Sequence, residues 1–520
     1  MYAQVKSGAL YGLASEQVTV ETDLSPGLPA FNVVGLPDAT VREAKERIRA
    51  AIVNSGFKFP AKRITVNLVP AGTKKEGTHF DLPIAVCVMI STDLIRTGRT
   101  SEFAFLGELS LDGSVNRING ALPLVIGLRN EGVGRIMLPL ANAEEASAVD
   151  DVLLYPVKNL WEIAAYFDGG YEIKPYQKSG GVPLRPPEAE DDFSDVAGQE
   201  SVKRALQIAA AASHNVLMIG PPGSGKTMMA RRVAGILPAM TYEEKLEVTK
   251  IYSIAGELSD RRPMITARPF RSPHHTLSGA AMVGGGSIPK PGEISLAHFG
   301  VLFLDELPEF GRNVLEMLRQ PLEDEKVVIS RVKGTAAFPA KFMLLASMNP
   351  CPCGYYGDPS HECSCTPWQI RSYLSKLSGP LLDRIDMHIE IMPVKYSELI
   401  EMEPRDADTP EPPPVRNSEV MRQEVEAARQ TQLERYREEE ISYNSQLTPG
   451  LIKKYCPLDR ETKRLLETAF HQLSLSARAH HKIIKLGRTI ADMEGAEKIG
   501  VRHIAEAIRY RSLDKIYRGL

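Results

Sequence analysis

The 520-residue chain has no apolar run close to the ~20 residues that cross a bilayer; the longest, Leu82 to Ile90, has the length of a buried element. Met1 to Leu10 lacks the charged-then-apolar order of an export signal, so neither membrane insertion nor secretion is expected, and the cytoplasm is. Cysteine is scarce as well. Six in the whole chain, four of them between Cys351 and Cys365, argue against a disulfide framework and for a reducing compartment with one local metal or redox site. An excess of one charge is also missing: 62 basic against 65 acidic residues leave a net −3, so any contact with nucleic acid has to come from local basic patches. No repeat of roughly 20 to 50 residues is visible, which removes solenoids and propellers.

What remains is an ordinary globular composition, 43% hydrophobic and 24% charged, on a chain too long for one core. Residues 1–170 alternate β-rich runs (Gln17 to Val20, Arg63 to Leu68) with helical periodicity over Asp38 to Asn54, which predicts an α/β unit. Residues 171–192 hold Pro175, Pro183, Pro186 and Pro187, Gly180-Gly181 and a group of acids, and read as a linker. In 193–394, strand-like Asn215 to Ile219, helix-like Met228 to Gly235 and the apolar runs Val301 to Leu304 and Phe342 to Ala346 predict a second α/β unit with a parallel sheet. Residues 395–415 are acidic and proline-rich, a hinge, and 416–520 carry helical periodicity with almost no β signal.

Gly220-Pro221-Pro222-Gly223-Ser224-Gly225-Lys226-Thr227 fits the pattern G-x-x-x-x-G-K-[ST] and falls between a predicted strand and a predicted helix, as the chemistry demands. Backbone N–H groups of such a loop wrap phosphate oxygens, the helix N-terminus adds its dipole, Lys226 reaches the terminal phosphates and Thr227 offers a hydroxyl to Mg²⁺. The strand Val301 to Leu304 runs into Asp305-Glu306, which puts two carboxylates at the C-terminal edge of the sheet. There Asp305 can hold Mg²⁺ and Glu306 can polarise the attacking water. Arg384, in Leu381-Leu382-Asp383-Arg384-Ile385-Asp386, is either a cation for the transition state or the partner of Asp383 or Asp386 in a surface ion pair.

Together, Asp195-Val196-Ala197-Gly198-Gln199, the phosphate loop, Asp305-Glu306, Ser347-Met348-Asn349-Pro350 and Leu381 to Asp386 resemble an AAA+ ATPase of the magnesium-chelatase-like branch. Pro269-Phe270-Arg271-Ser272-Pro273-His274-His275-Thr276 and Asn349-Pro350-Cys351-Pro352-Cys353-Gly354 are similar to boxes of the bacterial ComM/YifB family, over essentially the whole chain. The resemblance implies ATP and Mg²⁺ as cofactors, Asn349 as the sensor that aligns the lytic water, Arg384 as a finger acting across a subunit interface, and Arg478, in Ser476-Ala477-Arg478, as a second sensor on a C-terminal helical lid. It also implies a homohexameric helicase that drives branch migration of DNA in homologous recombination, notably during natural transformation, with recombination proteins as possible partners. The same motor supports a rival reading, a chelatase-type remodelling subunit that acts on a protein partner.

In the first unit, Val69-Pro70-Ala71-Gly72, Lys75-Glu76-Gly77 and Gly107 to Gly113 resemble the proteolytic domain of Lon-type proteases, a ribosomal S5 domain 2-like α/β fold. Those enzymes use a serine and lysine pair. Aligned on their K-D-G-P-S-A-G and G-G-x-K runs, this chain has His79 at the serine and Leu122 at the lysine. Thr78 lies next door without a paired lysine, so no peptidase activity is expected, and an ATP-dependent protease is disfavoured.

Cys351-x-Cys353 and Cys363-x-Cys365 can fold back to present four thiolates to a structural Zn²⁺. A redox-sensitive dithiol, and a mixed site with His361 in place of one cysteine, are the competing readings. Cys87 and Cys456 read as packing residues, and the neighbours His274-His275 as structural. DNA contacts are expected on two protruding segments. One is a hairpin around Val332 to Thr335 that carries Arg331 and Lys333; the other is Thr266 to Pro291, with Arg268, Arg271 and Lys290 around Gly284-Gly285-Gly286. The commonplace alternative for each cation is a solvated surface residue.

Overall fold

A computed structural model of the chain describes residues 1–178, 191–286, 289–331, 334–393, 416–473 and 475–511. The first unit is built on a seven-stranded sheet in the order Ala30–Val34, Arg63–Val69, Ala14–Ser25, Tyr2–Tyr11, Ala104–Phe105, Arg135–Pro139, Leu153–Val157. Its centre is the antiparallel hairpin Tyr2–Tyr11 with Ala14–Ser25, paired from Tyr2↔Asp23 to Tyr11↔Ala14 and turned at Gly12, whose φ of 60° favours glycine. Alternation of buried and exposed residues along Ala14–Ser25 and Arg63–Val69 leaves one face for helices. Asp38 starts the helix Ala39–Asn54 by accepting the Val41 N–H at 2.9 Å, and Val41, Ala44, Ile48, Ala51 and Ile52 line its buried side. The apolar run at Leu82 is the helix Asp81–Ser91, buried all round. Among the described residues no helix is long and apolar enough to cross a membrane.

The positions aligned with the protease pair are packing positions. His79 is buried, with Nε2 2.9 Å from the Gly8 carbonyl oxygen, and burial pushes its imidazole down to about 4, so the neutral ring donates to that carbonyl. Leu122 is buried in the helix Ala121–Asn130.

The second unit holds a five-stranded parallel sheet in the order Phe270–Arg271, Val301–Leu304, Met343–Met348, Val216–Ile219, Met387–Glu390. Val216–Ile219, Val301–Leu304 and Met343–Met348 are buried at every position, as expected of parallel strands covered on both faces. The C-terminal helices Ser418–Arg435, Pro449–Tyr455, Arg460–Gln472, Ala477–Met493 and Val501–Arg509 do not form a separate core. Met421, Val425, Ile483, Leu486 and Ile490 share one apolar cluster with Leu206, Ala209, Val216 and Met387 of the second unit.

The expected linker begins later than its composition indicates. The Tyr176 N–H donates to the Leu154 carbonyl at 2.7 Å and Lys178 pairs with Asp150 at 2.9 Å, so 171–178 dock on the first unit. At its other end Asp192 already accepts the Ser418 N–H at 3.1 Å and belongs to the second unit. Residues 179–190, and the hinge at 395–415, lie outside the described residues. The first unit sits on the helix Tyr242–Ala255 of the second: Gly120 N–H donates to Ser253 O at 3.0 Å, Tyr242 O–H to Ala148 O at 2.6 Å, and Arg117 pairs with Asp260 at 2.6 Å.

One nearly buried carboxylate ties the sheet to the lid. Asp386 accepts the Asn215 N–H at 2.9 Å and pairs with Lys482 of Ala477–Met493 at 3.0 Å, with His214 3.7 Å away. Burial alone would raise its pKa, but Lys482, His214 and the Asn215 N–H outweigh burial and hold Asp386 well below the usual carboxylate range. A depressed carboxylate contributes stability that is present above its unfolded pKa of about 4 and is lost as pH falls below it. Asp386→Asn leaves Lys482 buried without a counter-charge and is expected to cost about 3–5 kcal/mol near neutral pH, with the gap to wild type closing below about pH 4. Denaturant unfolding of the two proteins across pH checks both the size and the direction.

Candidate nucleotide-hydrolysis site

The strand Val216–Ile219 delivers the chain to the phosphate loop, and the helix Lys226–Ile236 leaves it. Three local features let the loop close. Gly223 and Gly225 have φ of 76° and 84°, and a Cβ on Gly220 would stand 2.4 Å from the Ile391 carbonyl oxygen. Lys226 Nζ donates to the carbonyl oxygens of Gly220 and Pro221, both at 2.8 Å, and to Asn349 Oδ1 at 3.2 Å. Burial pushes this lysine below its ordinary pKa, against the pull of Asp305 and Glu306.

Across from the loop, Thr227 Oγ1 donates to Asp305 Oδ2 at 2.6 Å, which joins the hydroxyl and carboxylate expected to share Mg²⁺. Ser347 donates its hydroxyl to the other oxygen of Asp305 and takes the Glu306 N–H at 3.3 Å. Glu306 is held in the left-handed region, φ 53°, with its side chain exposed, and His275 Nδ1 stands 3.8 Å from its carboxylate. Lys226, Thr227, Asp305, Glu306 and Asn349 therefore converge at the C-terminal ends of three adjacent parallel strands. Sequence reasoning does not bring Ser347 or His275 to this site. Ser347 has a signal, its place two residues before Asn349 on a buried strand; His275 has only its position in the family box.

Arg384 and Arg478 do not join this group. The Arg384 carbonyl accepts from Asn215 Nδ2 at 3.2 Å, and Asn215 precedes the strand whose other end carries the phosphate loop. At ~3.3 Å of rise per residue, that strand separates Arg384 from Lys226 by more than 10 Å. Glu323 gathers the two arginines instead, 2.7 Å from Arg384 and 3.4 Å from Arg478. The surface-pair alternative for Arg384 named Asp383 or Asp386; the carboxylate found is Glu323.

Two of the cations expected to face DNA are engaged inside the fold. Arg268, mostly buried, donates to the carbonyls of Pro238 and Phe299 and pairs with Glu244 at 3.0 Å. Arg271 makes a two-pronged pair with Glu293, 2.7 Å on each arm, and a further one with Glu257 at 2.9 Å. Lys290 is exposed. The hairpin Lys326–Arg331 with Gly334–Pro339 is present, paired from Lys326↔Pro339 to Arg331↔Gly334; Lys333 lies outside the described residues.

The four cysteines come together. Cys351 Sγ is 3.3 Å from Cys353 and 3.7 Å from Cys363, Cys353 is 3.6 Å from Cys363, and all four sulfurs lie within 4.8 Å of one another. A tetrahedron with Zn–S of about 2.3 Å has edges of about 3.8 Å, so the donor set fits zinc. His361 is not in the cluster; it stacks on Tyr355 at 4.8 Å. Cys87 and Cys456 are buried singly.

Comparison with known proteins matches residues 192–399 to the family described as magnesium chelatase, subunit ChlI, residues 20–142 to subunit ChlI of Mg-chelatase, and residues 415–511 to the subunit's C-terminal family. The competence protein ComM of Haemophilus influenzae is 41% identical over 522 residues, 100% of this chain and 99% of its own. The chain belongs to the ComM/YifB family. YifB of Escherichia coli is 40% identical over 98% of this chain and 97% of its own, and Lon protease 2 of Bacillus subtilis is 30% identical over 30% of each chain. For this ComM/YifB protein, membership in a magnesium-chelatase-like AAA+ family implies ATP and Mg²⁺ at the site just described.

Because Arg268 serves the fold, Arg268→Ala is expected to lower stability by about 2–3 kcal/mol, the range for removing a charged hydrogen bond from the interior. Thermal unfolding checks the size.

Proposed function

We propose that this protein is an ATP-driven, homohexameric DNA motor that promotes branch migration in homologous recombination, notably when DNA taken up in natural transformation is integrated. The observation that carries this reading is the split of its cations. The phosphate-loop end of the sheet holds Lys226, with Lys376 paired to Glu309 in the cavity beside Glu306 and no arginine lining that cavity among the described residues, while Arg384 and Arg478 gather at the opposite end around Glu323. A γ-phosphate in flight needs positive charge for its developing oxygens, and an arginine from an adjoining copy supplies it if the two ends meet in a ring. In this reading Arg384 is the finger and Arg478 the second sensor, both offered to the neighbour. Asn349, fixed by Lys226, positions the lytic water beside Glu306.

The DNA assignment is supported by the name of the relative ComM, a competence protein, and by the hairpin Lys326–Arg331 with Gly334–Pro339. We place DNA phosphates on Arg331, Lys333 and Lys290; Arg268 and Arg271 are excluded by their internal partners. Binding through phosphates is independent of sequence and weakens as salt rises. Zinc at the four cysteines belongs to the same proposal.

Three variants test it on a four-way junction. Lys226→Ala is expected to abolish ATP turnover and junction movement; Glu306→Gln is expected to keep nucleotide binding and lose about 10²-fold or more in turnover. Arg384→Ala is expected to be inactive alone and to regain part of the activity when mixed with Lys226→Ala, since an interface at which the Arg384→Ala copy offers the phosphate loop and the Lys226→Ala copy the arginine holds an intact pocket. ATP turnover indifferent to any DNA would favour the chelatase-type remodelling subunit, and full turnover by a monomer would overturn the ring. Neutralising Arg331 and Lys333 together is expected to flatten the salt dependence of DNA binding by about one unit of slope for each phosphate that is no longer neutralised.

A further inference from the structure

The cysteine centre is not a remote staple. Cys351 follows Asn349 by two residues and is fully buried in the apolar cluster that holds Ile219, Leu304 and Met348, the residues that end the three central strands. From there the chain turns back over the phosphate loop. The Gly354 N–H donates to Cys351 O at 3.0 Å, and Gly354, at φ 90°, lies so close to the loop that a Cβ there would stand 2.5 Å from Pro222 Cδ. The second pair leads into the site as well. Cys365 is followed by Thr366, which caps the helix Pro367–Leu374 through a reciprocal bond with Gln369. Trp368 and Tyr373 of that helix, with Pro352, line a cavity of about 430 Å³ shared with Glu306 and Asn349.

Four thiols at this spacing repel one another's ionised forms and have no covalent link, so the metal is what fixes the loop, and the free energy of binding it is free energy of ordering. What the metal orders here is the backbone that touches Pro222 and carries Asn349. We propose that the Cys351, Cys353, Cys363 and Cys365 centre, loaded with zinc, is a positioning element of ATP hydrolysis: it holds Gly354 against Pro222 and the Asn349 turn against Lys226, so that zinc occupancy sets nucleotide affinity and turnover. This rests on the reading of the site as an ATPase. It goes beyond a structural zinc, which would stabilise its own loop and leave the nucleotide untouched.

Linkage makes the claim testable in both directions, because a metal that tightens nucleotide binding must itself be held more tightly, by the same factor, when nucleotide is bound. The full-length protein is stripped with a zinc-selective chelator in excess Mg²⁺, its zinc content followed colorimetrically, and zinc is then added back. Expected are one zinc per chain, a fall of about tenfold or more in ATP turnover and in affinity for a fluorescent ATP analogue on stripping, recovery on add-back, and a matching protection of zinc by the analogue. Gly354→Ala is expected to keep its zinc and show the same losses. A variant that sheds zinc is interpreted through the chelator arm, which needs no substitution.

Zinc-free protein that binds the analogue and turns over ATP at the wild-type rate would overturn the proposal. So would zinc-loaded Gly354→Ala with full activity, or failure of the wild type to bind zinc. If the wild type binds the analogue without hydrolysing ATP, the ATPase reading fails, and the dependence of affinity on zinc still decides this one.

Discussion

Val216–Ile219 pairs in parallel with Met343–Met348 on one side and Met387–Glu390 on the other, Val216 lying opposite both Leu345 and Met387. This register decides which chemical groups can meet. It brings the turn after Met348, with Asn349, beside the loop after Ile219, while the segment before Met387, with Arg384 and Asp386, is carried to the strand's beginning at Asn215. A slip of one residue would invert the faces of these buried strands and part Asn349 from Lys226. The pocket and the opposing cationic edge are thus two ends of one constraint, set by hydrogen bonds between strands of four to six residues.

Much of this is legible in the sequence because the signals are local. The phosphate loop, the strand ending in Asp305-Glu306 and the helix from Ala39 each depend on residues within a few positions, where periodicity and turn chemistry act. The composition of 171–192 misleads at its ends, because Tyr176 and Asp192 find partners elsewhere in the chain. The same limit explains the arginines. Whether Arg268 faces solvent or Glu244 depends on a fold that brings residues 24 positions apart together, and a basic residue in a glycine-rich stretch looks the same in either case. Glu323, Ser347 and the contact of Gly354 with Pro222 are also matters of three-dimensional approach. The cysteine cluster lies between these extremes: its spacing announces a metal, but not its position against the phosphate loop.

In the first unit the positions aligned with a serine and lysine pair hold an imidazole and a leucine, and both side chains are useful to packing: His79 satisfies the Gly8 carbonyl and Leu122 sits in an apolar cluster, while the neighbouring Thr78 donates its hydroxyl to the Glu108 carboxylate. Polar bonds, one buried and one exposed, then attach this unit to the ATPase unit. Glu145 accepts from the Ser253 hydroxyl of the helix Tyr242–Ala255, and Arg117 bridges Glu145 and Asp260. The turn at Gly12 reaches the strand Gly334–Pro339, where its Cβ position is 3.5 Å from Ala337 O. The unit is therefore in contact with both the helix and the hairpin that a DNA motor would have to move.

Magnitudes separate the ion pairs that can change partners from those that cannot. Asp386 and Lys482 are nearly buried, so removing either leaves a desolvated charge, and this pair ties the lid to the sheet. Glu323 is 46% exposed and Arg478 58% exposed, so their pairing is worth at most about 1 kcal/mol. Arg384 is more sheltered, 10% exposed, yet it too leans on Glu323, from a scaffold fixed by the carbonyls of Arg319 and Pro380. A guanidinium held in place by backbone acceptors but neutralised by an exposed carboxylate can exchange that carboxylate for a more highly charged phosphate with little reorganisation. The arginines at the far end of the sheet thus lean on a carboxylate that is 46% exposed, whereas Arg268 is paired with Glu244 at 24% and Arg271 with Glu293 at 19%, besides the more open Glu257.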